Sequence, residues 1–177
     1  KSRGDMYDGV CTTNPIAGRC EHGCLYCYVL DFKISMLKEK YSGEIRLDKS
    51  VLTGNTGSGN TIFVCSCNDM FQDGVRDEDI SKILMECRHY PDNTYLFQSK
   101  NPRRIIDFLG EMPPKSILGT TIETDTSHQP YLNNYTEAPT LVERISGMMD
   151  MRLRILREFP EDGRTWQRMV SIEPIMD

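Results

Sequence analysis

Three cysteines fall within eight residues, in the run Cys20-Glu21-His22-Gly23-Cys24-Leu25-Tyr26-Cys27. A chain built this way must fold a loop around whatever those thiols hold. The 177 residues carry seven cysteines, an odd number. The first residues lead into no apolar stretch of the kind that directs secretion. Disulfides are therefore disfavoured, metal binding or catalysis is favoured, and a reducing cytoplasm is the expected setting. No apolar run approaches the ~20 residues that span a bilayer, so no membrane partner is expected. The length suits one domain over residues 1–177, enough to bury a core without staples.

Three soft thiolates suit iron–sulfur or zinc, and the fourth ligand separates the two. A structural zinc site is closed by four protein ligands. His22 could supply the fourth, but zinc fingers and ribbons present two separated ligand pairs. The other close pair here, Cys65 and Cys67, is spaced by a single residue at the end of a predicted strand. A [4Fe–4S] cluster on three cysteines leaves one iron open to an outside ligand. The C-x3-C-x2-C spacing also differs from ferredoxin runs, which supply four thiolates. The residues alone leave open a cluster enzyme, an electron-transfer cluster with Cys67 as fourth ligand, and a zinc-stabilised binding module without activity.

Around the thiols, strand-like and helix-like runs alternate. Val10–Asn14 is predicted as a short first strand and Tyr28–Tyr41 as a helix. Residues 53–60 form a Gly-rich loop; no Lys-Ser or Lys-Thr follows it, so it makes a poor phosphate loop. Thr61–Cys67 reads as a strand buried on both faces. Glu78–Tyr90 places Ile80, Ile83, Leu84 and Cys87 on one helical face. Thr94–Gln98 is the next strand, and Asn101–Leu109 the next helix, with Asn101 as N-cap, Pro102 at N1 and Gly110 as stop. Strand Ser116–Glu123 follows, then a polar stretch with His128 and Tyr131 that suits a lid. Helix Thr140–Arg157 starts with capping-box spacing at Thr140 and Glu143. Its predicted inner face is Leu141, Ile145, Met148, Met149, Leu153 and Leu156. Met169–Glu173 is the last strand.

This order predicts an α/β fold, a parallel sheet with right-handed crossover helices that curls toward an open barrel or a doubly wound layer. Each strand ends in polar residues: Asn68 and Asp69, then Gln98, Ser99 and Lys100, then Glu123, then Glu173. In parallel α/β folds the active site sits at those carboxyl ends. The net charge of −5 gives no electrostatic footprint for nucleic acid. Arg152, Arg154, Arg157, Arg164 and Arg168 read as a solvated face. Cys65, Cys87 and Trp166 read as packing, and His22 as a residue that orders the cysteine loop.

The spacing C-x3-C-x-aromatic-C, with Tyr26 as the aromatic, resembles the radical SAM superfamily. The runs NPIAGRCEHGCLYCYV, FVCSCNDMFQ, LFQSKNP, LGTTIE and VSIEP extend the resemblance along nearly the whole chain. They look like small phage and prokaryotic radical SAM proteins of largely unassigned function and, more distantly, like the spore photoproduct lyase group. The resemblance implies a partial (βα)6 barrel in which Cys20, Cys24 and Cys27 hold a [4Fe–4S] cluster. S-adenosyl-L-methionine would chelate the open iron, and its cleavage would give a 5′-deoxyadenosyl radical that takes hydrogen from a substrate. A nucleotide or nucleic acid is the substrate that the lyase resemblance suggests, and a flavodoxin or ferredoxin the expected reductant.

By the same resemblance, Tyr26 would hold the adenine, and Ser66, Asn68 and Asp69 the methionine end. Ser99, Lys100, Glu123 and Glu173 would line the ribose, carboxylate or substrate side. Cys67 could return a hydrogen atom to a product radical. Two departures stand out. The superfamily's Gly-Gly-Glu-like segment is replaced by Ser66-Cys67-Asn68-Asp69, which leaves the acidic role to Asp69. Five strands are predicted rather than six, so the domain is expected to be C-terminally incomplete, with its last βα unit missing.

Overall fold

The computed structural model describes residues 9–123, 136–160 and 164–172. In chain order these form β1 (Cys11–Thr13), β2 (Ile16–Ala17), a 3-10 turn (Tyr28–Asp31), α1 (Ser35–Lys40), β3 (Arg46–Leu47) and α2 (Lys49–Leu52). Then come β4 (Thr61–Val64), α3 (Asp77–Arg88), β5 (Thr94–Gln98), α4 (Pro102–Ile105) and a second 3-10 turn (Ile106–Glu111). β6 (Lys115–Ile122), α5 (Leu141–Glu158) and β7 (Thr165–Ile172) complete the order.

Among the described residues, five strands make one open parallel sheet in the order β1-β4-β5-β6-β7, with β1 and β7 at its edges. A small antiparallel pair, β2 with β3, stands beside it. No described helix is long and apolar enough to cross a membrane. The predicted α/β class therefore stands as a five-stranded parallel sheet with crossover helices rather than a closed barrel.

The core explains the order. In β4, Ile62, Phe63 and Val64 are all buried, as a strand covered on both faces requires. α3 buries Ile80, Ile83, Leu84 and Cys87, the predicted face. Its first turn carries Asp77, Glu78 and Asp79, which favour the positive end of the helix dipole. Phe71, Phe97 and Phe108 pack edge-on and tilted between α3, β5 and the second 3-10 turn. Burying each such ring is worth ~1.5–3 kcal/mol.

Four local expectations are corrected. The predicted helix Tyr28–Tyr41 is broken: a 3-10 turn ends at Asp31 and α1 begins at Ser35. The break lets Phe32 pack edge-on against Tyr28 and tilted against Tyr41, while the Tyr28 hydroxyl donates to Ser66 O. β4 ends at Val64 rather than Cys67, because Cys65 adopts a left-handed φ of 58°. α4 is a single turn that continues as a 3-10 segment through Gly110; Asn101 gives its side-chain amide to Asp73 instead of capping.

The fourth correction is the largest. α5 has its capping box at Thr140 and Glu143, yet it faces the sheet with Arg144, Gly147 and Met151. Val142, Ile145, Met149, Leu153 and Leu156 are exposed. The rotation follows from two contacts. Arg144 is drawn in by Glu123 and by Thr121 O. Gly147 lies so close to α4 that a Cβ would sit 3.0 Å from Arg103 N. Met148 and Ile155 pack only partly against the core.

Gly18 fixes the approach to the cysteine loop. Its φ of +94° is left-handed, and a Cβ there would lie 2.2 Å from Glu44 O. Its own amide donates to Lys40 O and its carbonyl accepts from Asn68 Nδ2. Gly18→Ala is expected to lower the unfolding free energy by roughly 2–4 kcal/mol, combining left-handed strain with overpacking. Urea titration checks this; an unchanged midpoint would show that the loop relaxes freely at this point.

Candidate functional site

The carboxyl ends of β4, β5 and β6 open on a cavity of about 140 Å³, and Cys20, Cys24 and Cys27 line it. Ser66, Cys67, Asn68, Asp69, Ser99 and Lys100 line the same cavity. The structure thus brings these residues together on one rim. Glu123 and Tyr26 stand next to Lys100. Glu173, His128 and Tyr131 lie outside the described residues.

The cysteine loop is clamped from two sides. On one side, Glu21 accepts from Gly74 N at 2.7 Å, and its own amide donates to Gln72 Oε1 at 2.6 Å. On the other, Thr136 Oγ1 donates to His22 O at 2.9 Å and lies 3.1 Å from Cys24 Sγ. Glu137 N also donates to His22 O. Between these clamps the chain turns back on itself, with Cys27 N donating to Cys24 O. Burial, and then the nearby Asp69 charge, push the Cys20 thiol up to about 12. Burial raises Cys27 as well.

Asp69 is buried and accepts four hydrogen bonds. His22 Nε2 at 2.8 Å, Ser99 Oγ at 2.9 Å and Lys100 N at 2.8 Å meet Oδ2, and Phe71 N at 2.9 Å meets Oδ1. Burial alone would raise its pKa, but His22 and the two amides outweigh burial and hold it below the usual carboxylate value. His22 is thus a loop-ordering residue. Asn68 donates to Gly18 O and accepts from Gln72, and Ser99 accepts from Asn101 N. Asn68, Asp69 and Ser99, the residues expected at the methionine end and ribose side, are thus engaged by their own chain and hold the rim in shape.

A second buried carboxylate, Glu123, gathers three donors. The Tyr26 hydroxyl and Lys100 Nζ both reach Oε1, and Arg144 Nη1 reaches Oε2 at 2.5 Å. Lys100 Nζ also donates to the Tyr26 hydroxyl at 3.0 Å and lies 5.1 Å from the ring centre. Burial would raise Glu123, but Lys100 and Arg144 hold it low. Burial, and next Glu123, keep the Tyr26 phenol protonated far above its ordinary range. Opposite, Cys67 Sγ lies 3.6 Å from the Tyr28 hydroxyl, and Ser66 Oγ has a 3.3 Å bond to Asn14.

Sequence reasoning missed Arg144, Thr136, Gln72 and Tyr28. Arg144 had a signal: with Gly147 and Met151 it makes an i, i+3, i+7 row, a second helix face that holds a charge. The others act through contacts 39 to 114 residues distant in sequence, which no local pattern carries.

Three thiols that line one cavity could each hold its own iron of a four-iron cubane, so the chemistry of the donor set is compatible with such a cluster. Among the described residues no three His, Cys, Asp or Glu side chains converge on a single point.

Asp69→Asn tests the clamp. It sets an amide N–H where three donors now converge, and should cost roughly 3–5 kcal/mol of stability. It should also speed tryptic cleavage after Arg19. Wild-type stability and cleavage rate in the variant would show that Asp69 does not hold the loop.

A family described as protein of unknown function (DUF5131) matches residues 9–177. No curated protein matches the sequence significantly. Among solved structures, spore photoproduct lyase complexed with dinucleoside spore photoproduct is similar over 93% of this chain and 46% of that one, at 12% identity and a TM-score of 0.61. A mutant of that lyase with bound AdoMet and dinucleoside spore photoproduct matches over 98% and 48%, at 10% identity and 0.60. Another mutant matches over 98% and 49%, at 11% identity and 0.62. At these identities the likeness shows the fold alone, and the chain spans just under half the length of each lyase chain. The match over residues 9–177 shows that the chain belongs to the DUF5131 family of proteins of unknown function.

Proposed function

We propose that the chain is the core of a radical SAM enzyme, with Cys20, Cys24 and Cys27 as cluster ligands. The observation that carries this reading is their position: three thiols of one clamped loop line one cavity at the carboxyl ends of parallel strands. The fold likeness to a lyase solved with AdoMet supports it. When bound, a [4Fe–4S] cluster with S-adenosylmethionine supplies one-electron cleavage of the cofactor and a 5′-deoxyadenosyl radical.

The chain's own residues supply binding and orientation. Asp69, through His22, fixes the loop that carries the cysteines. Lys100 faces the cavity with three ammonium donors. One serves Glu123 and one Tyr26, and the third is available for a carboxylate such as that of methionine. Glu123 and Arg144 hold Tyr26 between Cys24 and Cys27, where its backbone can meet an adenine. Ser66 Oγ faces the cavity beside them. Cys67 opens on the same cavity, where its S–H bond can give a hydrogen atom to a product radical and leave a thiyl radical on a sulfur 3.6 Å from the Tyr28 hydroxyl. Glu123 and Lys100 form the substrate side of the rim, and Glu173 is proposed with them on the VSIEP resemblance.

The dinucleoside in the lyase structures favours a nucleotide or nucleic acid as substrate. The net charge of −5 favours a short or single-stranded form over a long duplex. A flavodoxin or ferredoxin is the proposed reductant, in a cytoplasmic setting.

Anaerobic reconstitution tests the reading. It should give a brown protein with about four irons per chain that forms 5′-deoxyadenosine when reduced with S-adenosylmethionine. Cys20→Ala, Cys24→Ala and Cys27→Ala should each lose the iron, and Cys67→Ala should keep it. Iron loss in Cys67→Ala would favour an electron-transfer cluster, and a colourless zinc protein would favour a binding module.

Lys100→Ala tests the cofactor contact. Loss of one charge-assisted bond, ~1.5–3 kcal/mol, should weaken S-adenosylmethionine roughly tenfold to a hundredfold, with iron content unchanged. Equal affinity in equilibrium dialysis would remove Lys100 from the cofactor site.

A further inference from the structure

The turn that ends β4 holds a conformation its residues do not favour. Cys65 sits at a φ of 58°, the one non-glycine residue in the left-handed region among those described. A residue with a Cβ stays there only where its surroundings over-determine it. The Cys65 side chain is packed into the core. Two residues on, Cys67 is half-buried and lines the cysteine cavity.

One side chain after β1 does much of the holding. β1 and β4 pair in parallel as far as Thr13 and Val64, and Cys65 N donates to Thr13 O at 2.7 Å. The next step of that ladder would use Pro15, as donor to Cys65 O and acceptor from Cys67 N. Proline has no N–H to give, and Pro15 O already accepts from Asp48 N at 2.7 Å. Cys65 O turns to Asn68 N instead, at 3.3 Å. For Cys67, Asn14 supplies the missing acceptor. Its Oδ1 takes Cys67 N at 2.9 Å and Ser66 Oγ at 3.3 Å. Asn14 is itself anchored. Its carbonyl accepts from Lys40 Nζ at 2.9 Å, Lys40 pairs with Asp48 at 2.9 Å, and the following proline favours an extended backbone. From the cavity side, the Tyr28 hydroxyl donates to Ser66 O at 2.7 Å.

We propose that Asn14 is a positioning residue for Cys67. Its carboxamide oxygen stands in for a strand carbonyl, keeps the turn in its left-handed form, and so sets the Cys67 thiol on the wall of the cysteine cavity. Without that oxygen the Cys67 amide loses its acceptor, and the turn can relax at Cys65. The placement matters for chemistry because reacting atoms must be held about 3–3.5 Å apart, and a shift of ~1 Å is costly. The proposal rests on the reading above in one respect, that a thiol at this place gives hydrogen to a product radical. The hold of Asn14 on the turn does not need the cluster.

Alkylation tests it. The anaerobically reconstituted full chain is treated with iodoacetamide, and the rates at Cys65, Cys67 and Cys87 are read by peptide mass spectrometry. In the wild type Cys67 should react well ahead of the buried Cys65 and Cys87. Asn14→Ala should cut the ratio of Cys67 to Cys65 roughly tenfold, the shift that release of the left-handed strain permits. The Cys87 rate should not change, which separates a moved turn from a loosened fold. Asn14→Asp keeps an acceptor oxygen and should restore the ratio, while Asn14→Leu keeps the bulk alone and should not. Amide hydrogen exchange in the wild type needs no variant: the Cys67 amide lies outside any strand, yet it should exchange as slowly as those of β4. An unchanged ratio in Asn14→Ala, no restoration in Asn14→Asp, or fast exchange at Cys67 would overturn the proposal. Iron is measured on the same samples. A chain that takes up no iron while the ratio behaves as stated would overturn the cluster reading and leave the hold of Asn14 standing.

Discussion

The buried carboxylate of Asp69 is the constraint on which the rest of the site depends. Taking one charge out of water is expensive unless it is fully hydrogen-bonded. Here four donors meet it, and they come from different parts of the chain: His22 from the cysteine loop, Phe71 from the segment after β4, and Ser99 and Lys100 from the end of β5. No one segment can supply all four. The loop must therefore close on the sheet for the charge to be tolerated. This makes the position of the three thiols a property of the fold rather than of any bound group.

Lys100 joins that arrangement to a second one. Its backbone amide belongs to Asp69, while its ammonium belongs to Glu123 and Tyr26. Two buried carboxylates are thus linked by a single residue at the end of β5, one on either side of the cysteine loop. Each holds the loop at a different point, Asp69 through His22 and Glu123 through Tyr26. Removing one partner from such a charge leaves it buried and uncompensated, so the two carboxylates hold the loop to one geometry. Arg144 completes the second arrangement from α5. It gives Glu123 a second buried cation beside Lys100.

Much of this was legible in the sequence, and what was not has physical causes. The cysteine spacing, the buried run of β4, the inward face of α3 and the capping box of α5 are local patterns, and the structure follows them. Among the described residues, the polar ends of β4 and β5 meet on one rim because neighbouring parallel strands end side by side. The broken helix after Tyr28 was hidden because its helical spacing competes with ring packing across Phe32, Tyr28 and Tyr41. The early end of β4 was hidden because Cys65 is left-handed, which a residue with a Cβ rarely adopts. The face of α5 was misread because apolar periodicity gives the greasier side to the core. One buried ion pair and one close glycine contact outweighed it.

The same misreading connects the two halves of the molecule. α5 carries Arg144 on its inner side and the stripe of Ile145, Met149, Leu153 and Leu156 on its outer side. The helix runs unbroken for 18 residues, Leu141–Glu158. It is seated against α4 by Gly147, with no side chain between the backbones, so it can slide only by breaking that contact. A displacement along the axis would carry Arg144 away from Glu123 and leave a buried carboxylate short of one cation. The buried ion pair on the inner side, rather than the apolar stripe on the outer side, ties α5 to the cysteine loop through Glu123 and Tyr26.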